Sequence, residues 1–214
     1  MSDDPNRRPL ASRGTRWAKA MTRRLAATAV TPNQISQAGI VMAMLSGAGF
    51  WLSGQADDAV LRAGLLLAAA LFCQLRLLCN LLDGMVAIEA GRSAPDGLFW
   101  NEVPDRVADI LILVGAGYGV DAPSLGWAAA AFAVLTAYIR EIGHALGAGV
   151  DFSGPMAKPH RMAAITLAAL ASTLEPLWNG QGQLLTLALW VVALGTLLTA
   201  LRRAARLLRR LRAG

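Results

Sequence analysis

Asn80, Asp83, Asn101, Asp105 and Asp109 bring oxygen-bearing side chains into one short stretch of a strongly apolar chain. Asn80 and Asp83 are three residues apart, so on a helix both point to one face. Asn101 and Asp105, four apart, do the same on the next helical segment, and Asp109 carries that stripe one turn further. Two helices joined by a short loop are antiparallel neighbours, and their polar faces can then meet in one cleft. Carboxylate and amide oxygens gathered in this way are hard ligands suited to magnesium, manganese or calcium. Gly84 and Gly97 leave room for a ligand to approach closely. Arg92, Arg140, Lys158 and Arg161 supply cations that can hold phosphates. An oxygen-lined divalent site with cations around it is the layout that phosphoryl transfer needs. The same spacing admits a purely structural arrangement, with Asn80 bonded to Asn101 and with Asp83 and Asp105 paired to Arg76 and Arg106.

The elements that must position these residues are apolar and long. The chain has 214 residues, of which 55% are hydrophobic and only 16% charged, where a soluble domain carries about 25% charged residues. That deficit, with long Ala/Leu/Val runs, points to an all-α integral membrane protein. Six spans are expected, at about 35–52, 59–88, 97–120, 124–146, 162–177 and 184–201. Thr31, Pro32 and Asn33 start the first span, Thr31 as N-cap and Pro32 in the first turn. Asp58 and Arg62, one turn apart, can pair at the start of the second. Pro104 falls one turn inside the third and either bends it or marks a late start. Ahead of the spans, Trp17, Ala18, Met21, Leu25 and Ala26 recur at helical spacing opposite Arg16, Lys19, Arg23 and Arg24. That is the pattern of an amphipathic helix lying in the membrane interface. The chain thus divides into a tail and interfacial helix (1–30), a six-helix domain carrying the chemistry (31–201) and a basic helix (202–214).

Charge sets the expected orientation. The net charge is +6, with seven Lys/Arg from Arg7 to Arg24 and six from Arg202 to Arg212. Basic groups flanking apolar spans read as a cytoplasmic or anionic-lipid signal and not as a nucleic-acid site. The connections after the first, third and fifth spans hold no Lys or Arg, whereas those after the second and fourth hold Arg92, Lys158 and Arg161. Both termini and the polar cluster are therefore expected on the cytoplasmic side, in a bacterial inner membrane. The basic N-terminus lacks an apolar core and a cleavage site, so it does not read as a removable signal peptide. Zinc-spaced Cys/His pairs and Gly-rich phosphate loops are absent from the sequence.

The central stretch resembles the signature of the CDP-alcohol phosphotransferases, DxxDGxxAR, eight or more residues, then GxxxDxxxD. In this chain the frame is Asn80-xx-Asp83-Gly84-xx-Ala87-Ile88, eight residues, then Gly97-xxx-Asn101-xxx-Asp105. Thr31-Pro32-Asn33 is similar to the TPN that precedes the family's first span. The first and third aspartates are Asn80 and Asn101, and the motif arginine is Ile88. The resemblance implies transfer of a phosphatidyl group from a CDP-linked donor, CDP-diacylglycerol above all, to an alcohol, with release of CMP. It implies a divalent cofactor, Mg2+ or Mn2+, as one or two ions on Asn80, Asp83, Asn101 and Asp105, with Asp105 also the catalytic base. Asn33, Asn80, Asp83, Gly84, Ala87, Gly97 and Asn101 would form the CDP site. Arg92, Arg140, Lys158, His160 and Arg161 are candidates for the acceptor or its phosphate. A homodimer is also implied. Amides in place of two carboxylates lower the motif charge from −4 to −2, which predicts weaker metal binding, one ion in place of two, or a preference for manganese. The same losses support a rival reading, a family-like lipid-binding or assembly subunit without catalysis.

Overall fold

The computed structural model describes residues 15–91 and 95–213. Among these, seven α-helices follow one another: α1 (Arg16–Ala26), α2 (Pro32–Ser53), α3 (Ala59–Glu89), α4 (Gly97–Gly119), α5 (Pro123–Ala145), α6 (Lys158–Ser172) and α7 (Gln183–Ala213). A short 3-10 turn, Glu175–Trp178, joins the last two. Within the described residues the architecture is all-α. The tail before Thr15, Arg92 and Gly214 lie outside the described residues.

Local chemistry accounts for the starts. Thr31 accepts from the Gln34 amide at 3.2 Å, and the Gln34 side chain accepts from the Thr31 amide at 2.9 Å. This capping box, with Pro32 in the first turn, fixes where α2 begins. Asp58 caps α3 through the Leu61 amide at 2.7 Å. Arg62 does not pair with Asp58, because that carboxylate is committed to the helix end. It reaches instead to Glu175, at 3.3 Å. α4 starts at Gly97 with Pro104 inside it. α6 starts at Lys158, four residues before the expected span, because Pro159 in the first turn is preset for a helix. It ends at Ser172, and the expected remainder to 177 is the 3-10 turn.

Four helices, α2, α3, α5 and α7, are long and apolar enough to cross a membrane. α4 falls short because Glu102, Asp105, Arg106 and Asp109 interrupt its apolar run, and α6 has only 15 residues. At 1.5 Å per residue α6 spans roughly 22 Å against a hydrocarbon core of about 30 Å. α3 and α7, each of 31 residues, reach roughly 46 Å and overhang it. The basic segment after 201 continues α7 without a break.

α2 packs along α3 and α4, α5 lies against α4 and α7, and α6 sits between α3 and α7. Where α2 crosses α4 the backbones touch. A methyl on Gly115 would stand 2.5 Å from the Gly47 Cα, so both positions require glycine. The core between the helices is built from Phe50, Leu66, Ile112, Leu113, Met162, Ile165 and Leu189. Large apolar residues also face outward, among them Val41, Met44 and Leu45 on α2 and Leu187, Trp190 and Leu194 on α7. α1 docks on α3 through Ala18, Thr22 and Leu25, leaving Trp17 and Met21 exposed beside its cations. Its apolar face is thus shared between protein and surroundings.

Candidate active site

The last turns of α3 and the first half of α4 face each other beside the N-terminal parts of α2 and α6. A cleft of about 190 Å3 opens there, lined by Ser36, Gly39, Arg76, Asn80, Asp83, Pro104 and Asp105. Asp83 is buried. It accepts from the Ser36 hydroxyl at 2.8 Å and from the Gly84 amide at 2.5 Å. No cation pairs with it among the described residues.

Asp105 is the more crowded carboxylate. Its Oδ1 accepts from Arg76 Nη2 at 2.5 Å and from the Asn80 amide at 3.0 Å. Its Oδ2 accepts from Lys158 Nζ at 2.5 Å, with Arg106 Nη1 further off at 3.8 Å. Lys158 also donates to the Asn80 carbonyl oxygen at 2.8 Å. The amide of Asn80 therefore links acid and ammonium, using both of its ends. The structural pairing open to the sequence is realised for Asp105, with Arg76 at 2.5 Å and Arg106 at 3.8 Å, but not for Asp83. Asn80 does not bond to Asn101, and Asp83 takes a hydroxyl partner in place of a cation.

The other candidate residues are distributed around this core. Asn101 is exposed and makes no hydrogen bond among the described residues. Asn33 donates to both oxygens of Asp96 at 3.2 Å, and Trp100 donates to the same carboxylate at 2.9 Å. Gly84, Ala87 and Gly97 are half-buried on α3 and α4, and a methyl on Gly97 would meet nothing within 4 Å. Arg140 is half-buried, bonded to Glu102 and to Glu141, with its guanidinium 5.6 Å from the centre of the Phe152 ring. Glu102 also binds Arg106, so it is not free to replace Asn101. Arg161 is buried, held by Asp109 at 2.5 Å and the Met156 carbonyl at 3.1 Å, which leaves it committed within the protein. His160, on the first turn of α6, is exposed. Sequence reasoning missed Ser36, although a serine one turn after Pro32 in an apolar helix is a usable signal. It also gave Arg76 only a pairing role.

A divalent ion needs hard oxygens, and the cleft offers the carboxylates of Asp83 and Asp105 with the neutral oxygens of Asn80 and Ser36. No group of three His, Cys, Asp or Glu able to hold a metal forms among the described residues. Mg2+ is commonly held by one or two carboxylates together with substrate phosphates, so this donor set fits one such ion.

No family model matches the chain. Among curated proteins it is 32% identical over 95 residues to archaetidylinositol phosphate synthase of Pyrococcus horikoshii, a match spanning 44% of this chain and 45% of that protein. It is 29% identical over 176 residues to the inner membrane protein YnbA of Escherichia coli K12, spanning 81% and 82%. Among solved structures it is similar to phosphatidylinositol phosphate synthase of Mycobacterium tuberculosis with CDP-DAG bound. There the TM-score is 0.74 at 18% identity, covering 90% of this chain and 94% of that one. The same synthase in complex with manganese and citrate gives a TM-score of 0.73 over 89% and 88%. The chain has the fold of phosphatidylinositol phosphate synthase.

With four helices able to cross a bilayer, it is an integral membrane protein. In this fold the residues at the motif positions, from Asn80 to Asp105, lie along the α3–α4 hairpin that borders the cleft.

Proposed function

We propose that the protein is a CDP-alcohol phosphatidyltransferase of phospholipid biosynthesis. It moves a phosphatidyl group from CDP-diacylglycerol to an alcohol and releases CMP. One observation carries the reading: Asp83 and Asp105, on different helices, border a single cleft that is also lined by Arg76, with Lys158 bonded to Asp105. The solved relative with CDP-DAG bound supports the choice of donor.

Asp105 would take the proton of the acceptor hydroxyl. The freed oxygen then bonds to the phosphorus that carries the diacylglycerol, and the bond from that phosphorus to CMP breaks, with CMP keeping the electron pair. Arg76, Asn80 and Lys158 fix the Asp105 carboxylate in place for this step. Ser36 orients Asp83 toward the donor pyrophosphate. Asn33, Gly84, Ala87, Gly97 and Asn101 border the expected cytidine site. His160 is an exposed acceptor candidate, and Arg140 could serve only by exchanging its bonds to Glu102 and Glu141. A bound Mg2+ or Mn2+, on Asp83 and Asp105, would neutralise charge that develops on the pyrophosphate oxygens.

In the membrane, α4 and α6 cross with the four longer helices, which gives six spans, both termini in the cytoplasm and a cleft open to that side of the inner membrane. The chain works as a homodimer. Thiol-labelling of single cysteines at 55 and 121 from outside the cell tests the topology. Labelling of these positions only after lysis would reject it. Crosslinking in membranes tests the dimer, and a species no larger than one chain would rule it out.

The activity is tested by incubating purified protein with CDP-diacylglycerol, a panel of alcohols and Mg2+ or Mn2+. CMP should appear with at least one acceptor and be lost in Asp105→Asn. The full commitment of Asp105 to three partners also favours a second reading, a lipid-binding subunit without catalysis. Absence of CMP with every acceptor would establish that one instead.

A further inference from the structure

Lys158 Nζ stands 2.5 Å from Asp105 Oδ2 and 2.8 Å from the Asn80 carbonyl oxygen. Both oxygens belong to positions where the family motif calls for metal-binding carboxylates. Arg76 takes the other oxygen of Asp105 at 2.5 Å and is itself only 2% exposed. Its Nη1 is buried in the protein without a hydrogen-bond partner.

Charge decides what such a cleft can hold. Four aspartates would bring −4. Here Asp83 and Asp105 bring −2, and Arg76 with Lys158 returns +2. Two divalent ions would add +4 to a cleft already near neutral, more than a donor pyrophosphate of about −2 can offset. One ion with that pyrophosphate closes near zero. Charges within a few ångströms in a partly buried site interact by several kcal/mol, so an imbalance of this size is decisive.

The residue at position 80 fits the same logic. An aspartate there would set a second carboxylate against Asp105 across a gap now bridged by a 3.0 Å hydrogen bond. Asparagine donates to Asp105 with one end and accepts from Lys158 with the other, which no carboxylate can do. Asn80 and Lys158 are therefore a matched pair.

We propose that Lys158, supported by Arg76, is a built-in cation that stands where the family pattern would have a second divalent ion, and that the protein uses a single Mg2+ or Mn2+ with Asp83 as its dedicated carboxylate. This rests on the phosphotransfer reading of the cleft. The ammonium is the right kind of group: a compact point charge with three donors, able to meet Asp105, Asn80 and a phosphate oxygen together.

The test counts ions without using turnover. Purified protein with CDP-diacylglycerol is titrated with Mn2+, and free Mn2+ is followed by electron paramagnetic resonance. Wild type should bind one ion per chain, and Asn80→Asp with Lys158→Met should bind two. Because the double variant risks misfolding, Lys158→Met alone is measured as well. It should bind Mn2+ at least about 10-fold more tightly, since a nearby positive charge is gone, a gain that damage to the fold cannot mimic. Two ions on the wild type, none on it, or an unchanged or weaker affinity in Lys158→Met would overturn the proposal. CMP release from the same preparations is read separately, so one ion on wild type and tighter binding in Lys158→Met without any CMP would reject the phosphotransfer reading and leave the built-in cation standing.

Discussion

Arg161 donates to Asp109 at 2.5 Å, and the two side chains are 4% and 3% exposed. The pair ties the first turn of α6 to α4 directly behind the cleft. Removing one partner of a buried pair strands the other charge, at a cost of about 3–5 kcal/mol. Asp109→Ala should therefore lower the thermal midpoint in detergent sharply. Asp109→Leu with Arg161→Met should recover much of the loss, because replacing both charges with apolar groups of similar size is often neutral. A midpoint for Asp109→Ala equal to wild type would refute this role.

Asp105→Asn should reduce CMP release by about 100-fold or more, the usual contribution of a general base. Its thermal midpoint should also fall, because Arg76 and Lys158 lose the charge that they share. Activity within a few-fold of wild type would remove Asp105 from the chemistry.

Ser36→Ala takes away the 2.8 Å hydrogen bond on Asp83. A hydrogen bond to a charged group is worth about 1.5–3 kcal/mol, so donor turnover should drop by about 10-fold or more. The circular dichroism spectrum should stay that of wild type. Full activity in this variant would show that Asp83 needs no such support.

Glu175 lies at the other end of α3, accepting from Arg62 at 3.3 Å, from the amides of Gly182 and Leu184, and from Ser172. It is 0% exposed and caps the start of α7. Glu175→Ala should destabilise the protein by about 3–5 kcal/mol while CMP release per folded molecule stays at the wild-type level. A large loss of turnover at unchanged stability would contradict this division of labour.

The loop after α5 carries a pH-sensitive clip. Asp151 accepts from Ser153 and pairs with Arg206 at 3.0 Å. Partial burial alone would raise its pKa, but the Ser153 bonds and the Arg206 and Arg203 cations outweigh that and hold it below the usual value. A lowered folded value means that the stabilisation is present above the unfolded value of about 3.9 and is lost as pH falls through the folded one. Amide exchange across 146–157 should therefore quicken below about pH 4, and Asp151→Asn should remove the dependence. Exchange independent of pH in the wild type, after correction for intrinsic rates, would exclude the clip.

Much of the fold was legible because its signals are local. Asp58 and the apolar run after it mark α3, and Gly97 marks the start of α4 within a residue. The shared face of Asn80 and Asp83 follows from helical spacing, but the same rule set Asn101 beside Asp105, and Asn101 is exposed and outside the cleft lining. What escaped depended on partners far along the chain. Arg62 could be matched to Asp58 by spacing, yet its partner is 113 residues away, and Lys158 meets Asn80 across 78 residues. Polar Lys158 and His160 looked like a loop, although Pro159 is a helix-starting signal. No rule of spacing reveals which of several cations reaches a carboxylate, since packing alone decides that.

The contact of Gly47 with Gly115 has a consequence for the cleft three turns away. Ser36 rides on α2 and Asp105 on α4, and these helices are pinned where their backbones touch. The backbones also touch further along, where Gly119 lies against Phe50 and Gly54, and two rods held at two places along their length cannot swing about either one. The width of the cleft between Ser36 and Asp105 is thus held at a distance, by a seam of residues with no side chain at all.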